Sequence, residues 1–201
     1  MSNLDLPTAI VLGLSPTGLH IARALNRLGV PVIGVGRPGE VGLSSAVLSR
    51  TLIDDGSFNV LERLQQNVDG APAVLMPSSD EYVEMIGTTP CPAFLCQASY
   101  HSGAAALLLS KSTFYEKCDA FGLKYPRSMT FPPGTPREEL ANLHLPILLK
   151  PSRMHDHKTL MRGKKGWVIC DDAEMTAVWP QIAAFPGTLV AQEFIPGPES
   201  E

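Results

Sequence analysis

The first 35 residues constrain the fold most. Thr8 to Leu12 is a short β-rich apolar run that ends at Gly13. A turn follows, Leu14-Ser15-Pro16-Thr17-Gly18, and then Ile21, Leu25 and Leu28 fall at i, i+4 and i+7, one apolar stripe of a helix. Gly29 stands where a helix C-terminal cap belongs, and Pro31 to Val35 reads as a second buried strand. Strand, tight glycine turn, helix and strand in so short a span predict a βαβ unit, because parallel strands cannot be joined by a hairpin. The alternation goes on. Thr51 to Ile53 reads as a strand, Ser57 can cap a helix with Phe58, Leu61, Leu64 and Val68 inward, and Ala73 to Met76 is a strand stopped by Pro77. Residues 1 to about 100 therefore predict an open parallel sheet flanked by helices.

The pattern changes after Tyr100. Ser102 to Leu109 and Ser112 to Phe121 read as consecutive helices, the second ended by Gly122. Arg127 to Thr130 is extended, Phe131 to Pro136 is a Pro/Gly-rich turn, and Arg137 to Asn142 is a short helix. Pro146 to Lys150, Trp167 to Ile169 and Leu189 to Phe194 are strands; a helix over Ala173 to Ala184 lies between the last two, and Pro180 is expected to kink it or end it early. Strands separated by long irregular stretches predict an antiparallel α+β unit, with the boundary between residues 100 and 125.

Composition narrows the class. The 201 residues suffice for one large domain or two small ones. The 17 Gly and 18 Pro follow no repeat, which excludes collagen and implies many tight turns. A net charge of -4 argues against a nucleic-acid coat or a polybasic membrane binder. No apolar run approaches a bilayer span, the longest conspicuous one being Ala104 to Leu109, and no Lys or Arg precedes Arg23 to make the basic start of a signal peptide. Cys91, Cys96, Cys118 and Cys170 form no CxxC pair. A cytoplasmic α/β protein with reduced thiols is the expectation.

The Gly13 to Gly18 turn departs from a dinucleotide fingerprint, since Ser15 stands where the middle glycine must let a pyrophosphate approach. The second strand leads into Val35-Gly36-Arg37 and not into a ribose-binding acid; Arg37 would suit a 2′-phosphate, so NADP stays open. A P-loop fails as well, because Leu19-His20 follow Gly18. The turn still lies at the carboxyl edge of a parallel sheet, where a helix start offers N–H groups to a ligand. Pro77-Ser78-Ser79-Asp80-Glu81-Tyr82 follows a strand at the same edge; Ser78 or Ser79 is either a helix N-cap or a substrate contact.

Lys150, Arg153, Lys158, Arg162, Lys164 and Lys165 place six of the 16 Lys and Arg within one short segment, opposed only by Asp156. In an acidic protein that clustering points to an anionic ligand; a solvated charged loop is the plain alternative. Aromatic residues are not interleaved with the cations, which argues against single-stranded nucleic acid. His155-Asp156-His157 lacks a third spaced ligand for a metal site, and no Ser or Cys sits in a nucleophile-elbow pattern.

In order and spacing, four pieces resemble the ATP-grasp superfamily: Ser110-Lys111 opening a helix; Leu145-Pro146-Ile147-Leu148-Leu149-Lys150-Pro151-Ser152; the Gly163 to Gly166 loop; and Val190-Ala191-Gln192-Glu193-Phe194-Ile195-Pro196-Gly197. The resemblance covers about residues 105 to 201. The preceding sheet, over residues 1 to 104, looks like the Rossmann-like pre-ATP-grasp domain of carboxylate–amine ligases. Its Leu12-Gly13 turn, Ser44-Ser45 with Ser49-Arg50, and Met76-Pro77-Ser78-Ser79-Asp80 resemble the carbamoyl-phosphate-synthase-like and D-aspartate-ligase-like branch.

That resemblance implies ATP and Mg²⁺ as cofactors. It implies that Lys111 and Lys150 contact the ATP phosphates, that Gly163, Lys164, Lys165 and Gly166 lie in the lid over them, and that Gln192, Glu193, Phe194 and Ile195 form the hinge that reads adenine. Glu201, or else Glu199, would hold the ribose hydroxyls, and Leu148 with Phe194 the apolar walls. Gly13, Ser15, Gly18, Ser78, Ser79 and Asp80 would hold part of the substrate. The lid departs from the family in having fewer glycines. The family's metal-binding carboxylates and catalytic Arg have no counterpart before Glu201, so the expectation is an N-terminal fragment of a longer ligase, inactive alone. Its partners would be a small-molecule carboxylate and an amine, not nucleic acid or membrane, with a homodimer left open. The alternatives are a non-catalytic nucleotide-binding module and an NADP-dependent oxidoreductase using Arg37.

Overall fold

The computed structural model describes residues 6–56, 60–68, 70–97, 104–153, 161 and 166–197. The chain divides into two compact units, Met1–Ala105 and Ala106–Glu201. In the first, β1 (Thr8–Leu12), β2 (Val32–Gly36), β3 (Arg50–Ile53), β4 (Ala73–Pro77) and β5 (Leu95–Gln97) form a parallel sheet in the order β3-β2-β1-β4-β5. Helices α1 (Pro16–Arg27), α2 (Val60–Asn67) and α3 (Asp80–Thr88) make crossovers between them. Both faces of the central strands are covered, which is why they read as continuous apolar runs. Ile10, Leu12, Ile33, Val35 and Leu75 share one core with Leu61, Leu64, Tyr82 and Ile86. Val11 and Val32 point the other way, to Leu14 and Ala22.

Helix α1 starts with Pro16, whose missing N–H costs nothing there, and ends in a paired turn. Gly29, at φ +77°, donates its N–H to the Asn26 carbonyl at 3.0 Å, and Val30 donates to Leu25 at 3.2 Å. The apolar stripe is shorter than expected from sequence. Leu28 lies past the last helical residue and is 73% exposed, while Gly18 and Ala22 take the buried positions. Strand β5 was not expected either: three residues are too few to carry a two-residue repeat.

The second unit contains α5 (Lys111–Ala120), β6 (Ser128–Phe131), a 3-10 turn (Arg137–Asn142), β7 (Ile147–Pro151), β8 (Trp167–Ile169), α6 (Asp172–Ala183) and β9 (Leu189–Glu193). A short helix, α4 (Ala104–Leu109), precedes α5. The strands pair antiparallel in the order β6-β9-β7-β8. Ile147, Leu149, Ile169, Leu189, Ala191 and Phe131 pack on Met175 and Ile182 of α6. Asp171 caps α6 by accepting the Glu174 N–H at 2.8 Å, and the Glu174 carboxylate accepts the Cys170 N–H at 2.7 Å. Pro180 neither ends this helix nor truncates its packing. It lies on the exposed side, where the lost hydrogen bond faces water, and Ile182 beyond it is still buried.

At the carboxyl end of β1, Gly13 takes φ +90° and its carbonyl accepts the Ser78 hydroxyl at 2.9 Å. Helix α1 passes so close that a Cβ on Gly18 would overlap the Gly13 carbonyl oxygen, a backbone atom with nowhere to retreat. Gly18→Ala is therefore expected to destabilise the first unit by about 3 kcal/mol, the upper end of ordinary single substitutions, read from the denaturant midpoint.

Candidate functional site

Cross-strand partners share a face, so the register of the second sheet sorts its side chains. Leu149 pairs with Ala191 and Ile147 with Glu193 on the α6 side. Leu148 pairs with Gln192 and Lys150 with Val190 on the other side, where Ser128 and Val168 also fall. There the Lys150 ammonium donates to Gln192 Oε1 at 2.7 Å and to the Tyr115 hydroxyl at 3.4 Å. Gln192 Nε2 donates to the Tyr115 hydroxyl at 2.9 Å and to Ser128 Oγ at 3.1 Å. Lys150 Nζ also lies 5.9 Å from the Tyr115 ring centroid.

Helix α5 supplies Tyr115 and is tied to the exit of β7. Ser110 stands at its N-cap, the Lys111 N–H donates to the Ser152 carbonyl at 3.0 Å, and Ser110 bridges to Arg153. Ser152 is buried, with its hydroxyl 3.0 Å from that of Ser112 and 3.4 Å from that of Ser110. Lys111 thus stands beside the strand end that carries Lys150. One helical turn on, Tyr115 stacks on Tyr125 with centroids 4.8 Å apart. The Tyr125 hydroxyl donates to Asp119, and that bond pushes its pKa up to about 12.

The remaining hinge and lid residues are not all brought to this cluster. Glu193 turns to the opposite face and accepts the His144 N–H at 3.2 Å. The Phe194 N–H is already engaged by the Pro146 carbonyl at 2.9 Å; its side chain is exposed, as is that of Ile195. Gly166 runs so near β7 that a Cβ would overlap the Leu149 carbonyl oxygen, a close approach only glycine allows. Gly163, Lys164, Lys165, Glu199 and Glu201 lie outside the described residues, as does His155-Asp156-His157. Among the described residues no group of three or more His, Cys, Asp or Glu is placed to hold a metal ion.

In the first unit Gly13, Gly18 and Ser78 come together where β1 and β4 adjoin, the point at which the strand order reverses. Ser15 and Ser79 occupy the N-cap positions of α1 and α3 but make no side-chain cap bond, and Asp80 opens α3. The turn's N–H groups are less available to a ligand than its sequence suggested. Gly13 donates to the Val35 carbonyl at 2.8 Å, and Leu14 donates to the Glu40 carboxylate at 2.6 Å. Arg37, the candidate for a 2′-phosphate, is held by Glu81 at 2.6 Å and by Asp54 at 3.5 Å.

Sequence reasoning missed Tyr115, Ser128 and Asp54. The i+4 spacing of Tyr115 from Lys111 was a legible signal for the first. Asp54 is 5% exposed and accepts the Tyr82 hydroxyl at 2.7 Å and the Gly56 N–H at 2.9 Å. Burial pushes the Asp54 carboxyl up, but those bonds and the Arg37 charge outweigh it and leave it below its ordinary value. Burial first, and then the bond to Asp54, raises the Tyr82 phenol, which therefore stays a donor.

No family profile matches the chain. A stretch of 106 residues is 29% identical to a D-aspartate ligase from Enterococcus faecium (strain Aus0004), covering 46% of this chain and 24% of that protein. Among solved structures, an ADP complex of N5-carboxyaminoimidazole ribonucleotide synthetase superposes with a TM-score of 0.69 at 16% identity, over 98% of this chain and 49% of that one. An L-amino acid ligase from Bacillus licheniformis superposes at 0.62 and 14% identity, over 96% of this chain and 47% of that one. Phosphoribosylamine–glycine ligase from Thermotoga maritima gives 0.62 at 17% identity, over 95% and 44%. The chain thus spans about half the length of these solved ligases and about a quarter of the curated one. It has the fold of the N-terminal part of ATP-grasp ligases, an open parallel sheet followed by an antiparallel α+β unit. No helix among the described residues is long and apolar enough to cross a membrane.

The depressed Asp54 carboxyl carries a pH signature. Its contribution to stability is present above the ordinary carboxylate value of 3.8 and is lost as pH falls through the lower folded value. Asp54→Asn should cost about 1–3 kcal/mol at pH 7. Thermal melts from pH 7 to pH 2 should show the gap to the unsubstituted protein closing only below about pH 4.

Proposed function

We propose that the protein to which this chain belongs is an ATP-dependent carboxylate–amine ligase. In that chemistry the γ-phosphoryl group of ATP passes to a carboxylate oxygen, releasing ADP. An amine then attacks the acyl carbon and expels inorganic phosphate, losing a proton, so that a C–N bond replaces the C–O bond. The observation that carries the reading is Lys150. Its ammonium lies on the side of the sheet away from α6, at the exit of a buried strand, held by the neutral acceptors Gln192 and Tyr115, beside the helix start that presents Lys111. A cation held in that way keeps its charge for a phosphate. The close approach of Gly166 to β7 supports a backbone cradle next to it.

On this reading residues 1 to 104 are the pre-ATP-grasp domain and residues 105 to 201 the first part of the ATP-grasp domain. Gly163, Lys164 and Lys165 complete the lid, and Glu201 holds the ribose. Glu193, Phe194 and Ile195 form the hinge, and the exposed Phe194 and Ile195 offer apolar surface to a base. Ser15, Ser79 and Asp80 contact substrate at the carboxyl edge of the first sheet, where Gly13, Gly18 and Ser78 build the turn beneath them. Magnesium neutralises phosphate charge in such reactions, and its carboxylate ligands are expected in the half of the ligase fold that this chain does not span. The names of the relatives, a D-aspartate ligase and an L-amino acid ligase, support an amino-acid-like carboxylate or amine as the partner.

Calorimetric titration of Mg-ATP tests the reading. Binding to the chain is expected, with Lys150→Ala weakening it by about tenfold or more, the usual scale for losing a charge-assisted phosphate contact. Equal affinity in Lys150→Ala, or no ATP binding at all, would count against it. NADPH binding that disappears in Arg37→Ala would transfer the assignment to an oxidoreductase.

A further inference from the structure

We infer that Gln192 is a positioning residue for Lys150 and not a nucleotide contact, and that its neutrality, with that of Tyr115, keeps the Lys150 charge available to an anion. The inference rests on the ATP-binding reading above for its ligand, but its core is a relation between side chains of this chain.

A chain of hydrogen bonds fixes the direction of the Gln192 amide. The Pro126 carbonyl can only accept, so the Ser128 hydroxyl, 2.7 Å away, donates to it. The Ser128 oxygen is thereby left as an acceptor, and the group 3.1 Å from it must be Gln192 Nε2. Lys150 has no acceptor, so the amide oxygen must face its ammonium, as it does at 2.7 Å. The second hydrogen on Nε2 points to the Tyr115 hydroxyl at 2.9 Å. Both amide hydrogens and the oxygen lone pair that faces Lys150 are therefore engaged inside the protein, and Gln192 is only 7% exposed. Little of the side chain is left to read a base.

Among the described residues the ammonium has two acceptors and keeps a third direction open. Of its three N–H groups, one goes to Gln192 and one, at 3.4 Å, to Tyr115. Both acceptors are uncharged, so they aim the group without cancelling its charge. A glutamate of the same shape at position 192 would make the same contact as an ion pair and would compete with any phosphate for Lys150. The choice of amide over carboxylate at this buried position is thus a determinant of anion affinity.

Two readouts test this, in Gln192→Glu and in Tyr115→Phe, which keeps the ring stacked on Tyr125 and removes only the hydroxyl. The first is the titration of the Lys150 ammonium by NMR, with its signal assigned by loss in Lys150→Arg. Gln192→Glu should raise its pKa by about one unit or more, as a close carboxylate does. The second is calorimetric binding of Mg-ATP and of inorganic tripolyphosphate, which has no base. Gln192→Glu should weaken both by the same factor, about tenfold, and Tyr115→Phe should weaken both by about two- to threefold. An unmoved Lys150 titration overturns the inference. So does a loss confined to Mg-ATP, which would put Gln192 on the nucleoside. If the titration moves while the unsubstituted protein binds neither ligand, the positioning role stands and the ATP-binding reading fails. Should Gln192→Glu not fold, Tyr115→Phe carries the same comparison between the two ligands.

Discussion

The two-residue repeat of β7 is the constraint on which the second unit depends. Ile147, Leu149 and Pro151 must be buried for the antiparallel sheet to pack against α6, and Leu149 is fully so. That commitment sends Leu148 and Lys150 to the opposite side, because a strand offers its side chains nowhere else to go. A slip of one residue would put an ammonium into the α6 core and Leu149 onto the face away from it, with loss of both packing and cation. Packing and the placing of the cation are therefore one decision. The pairing with β9 then brings Gln192 opposite Leu148, and the pairing of β6 brings Ser128 beside Gln192.

Around Lys150 the protein invests neutral polar groups where a carboxylate would have been the simpler partner. The amide donates to the phenol and to the serine oxygen and accepts from the ammonium, so the buried Gln192 side chain is held on every side by uncharged groups and one cation. The first unit uses the opposite tactic. Arg37 is met by Glu81 and Asp54, and the Leu14 N–H by Glu40, so charge at the carboxyl edge of that sheet is neutralised internally. An arginine so engaged is poorly placed to hold a second anion, which is the physical argument against a dinucleotide at this turn. The contrast between the two lysine- and arginine-bearing edges follows from the acceptors each is given, not from the cations themselves.

Much of the fold was legible because its elements are strongly patterned. Continuous apolar runs marked β1 and β2, an apolar run ended by Lys150 and Pro151 marked β7, and Gly29 and Gly122 marked the ends of α1 and α5 with positive φ. Lys111 and Lys150 stood out as cations at element boundaries. What failed to show was short or positional. Strand β5 has too few residues for a period, Leu28 continues a helical stripe past the helix that made it, and Pro180 is harmless because it faces water. Tyr115 was marked only by its i+4 spacing from Lys111, and Asp54 looks like an ordinary surface residue, since nothing local distinguishes it from its neighbours.

By itself the sequence determined where most strands, turns and helices lie, that the first half forms a parallel sheet and the second an antiparallel one, and which lysines sit at strand and helix ends. Those properties depend on local periodicity and backbone freedom, which neighbouring residues settle. Only the tertiary structure decided that Gln192 faces Lys150 while Glu193 turns away, that Ser78 closes on Gly13, and that Glu40 occupies the Leu14 N–H. These contacts join residues from 26 to 65 positions apart in the chain. Their partners are chosen by sheet register and crossover geometry, and no local pattern encodes which acceptor will meet which donor.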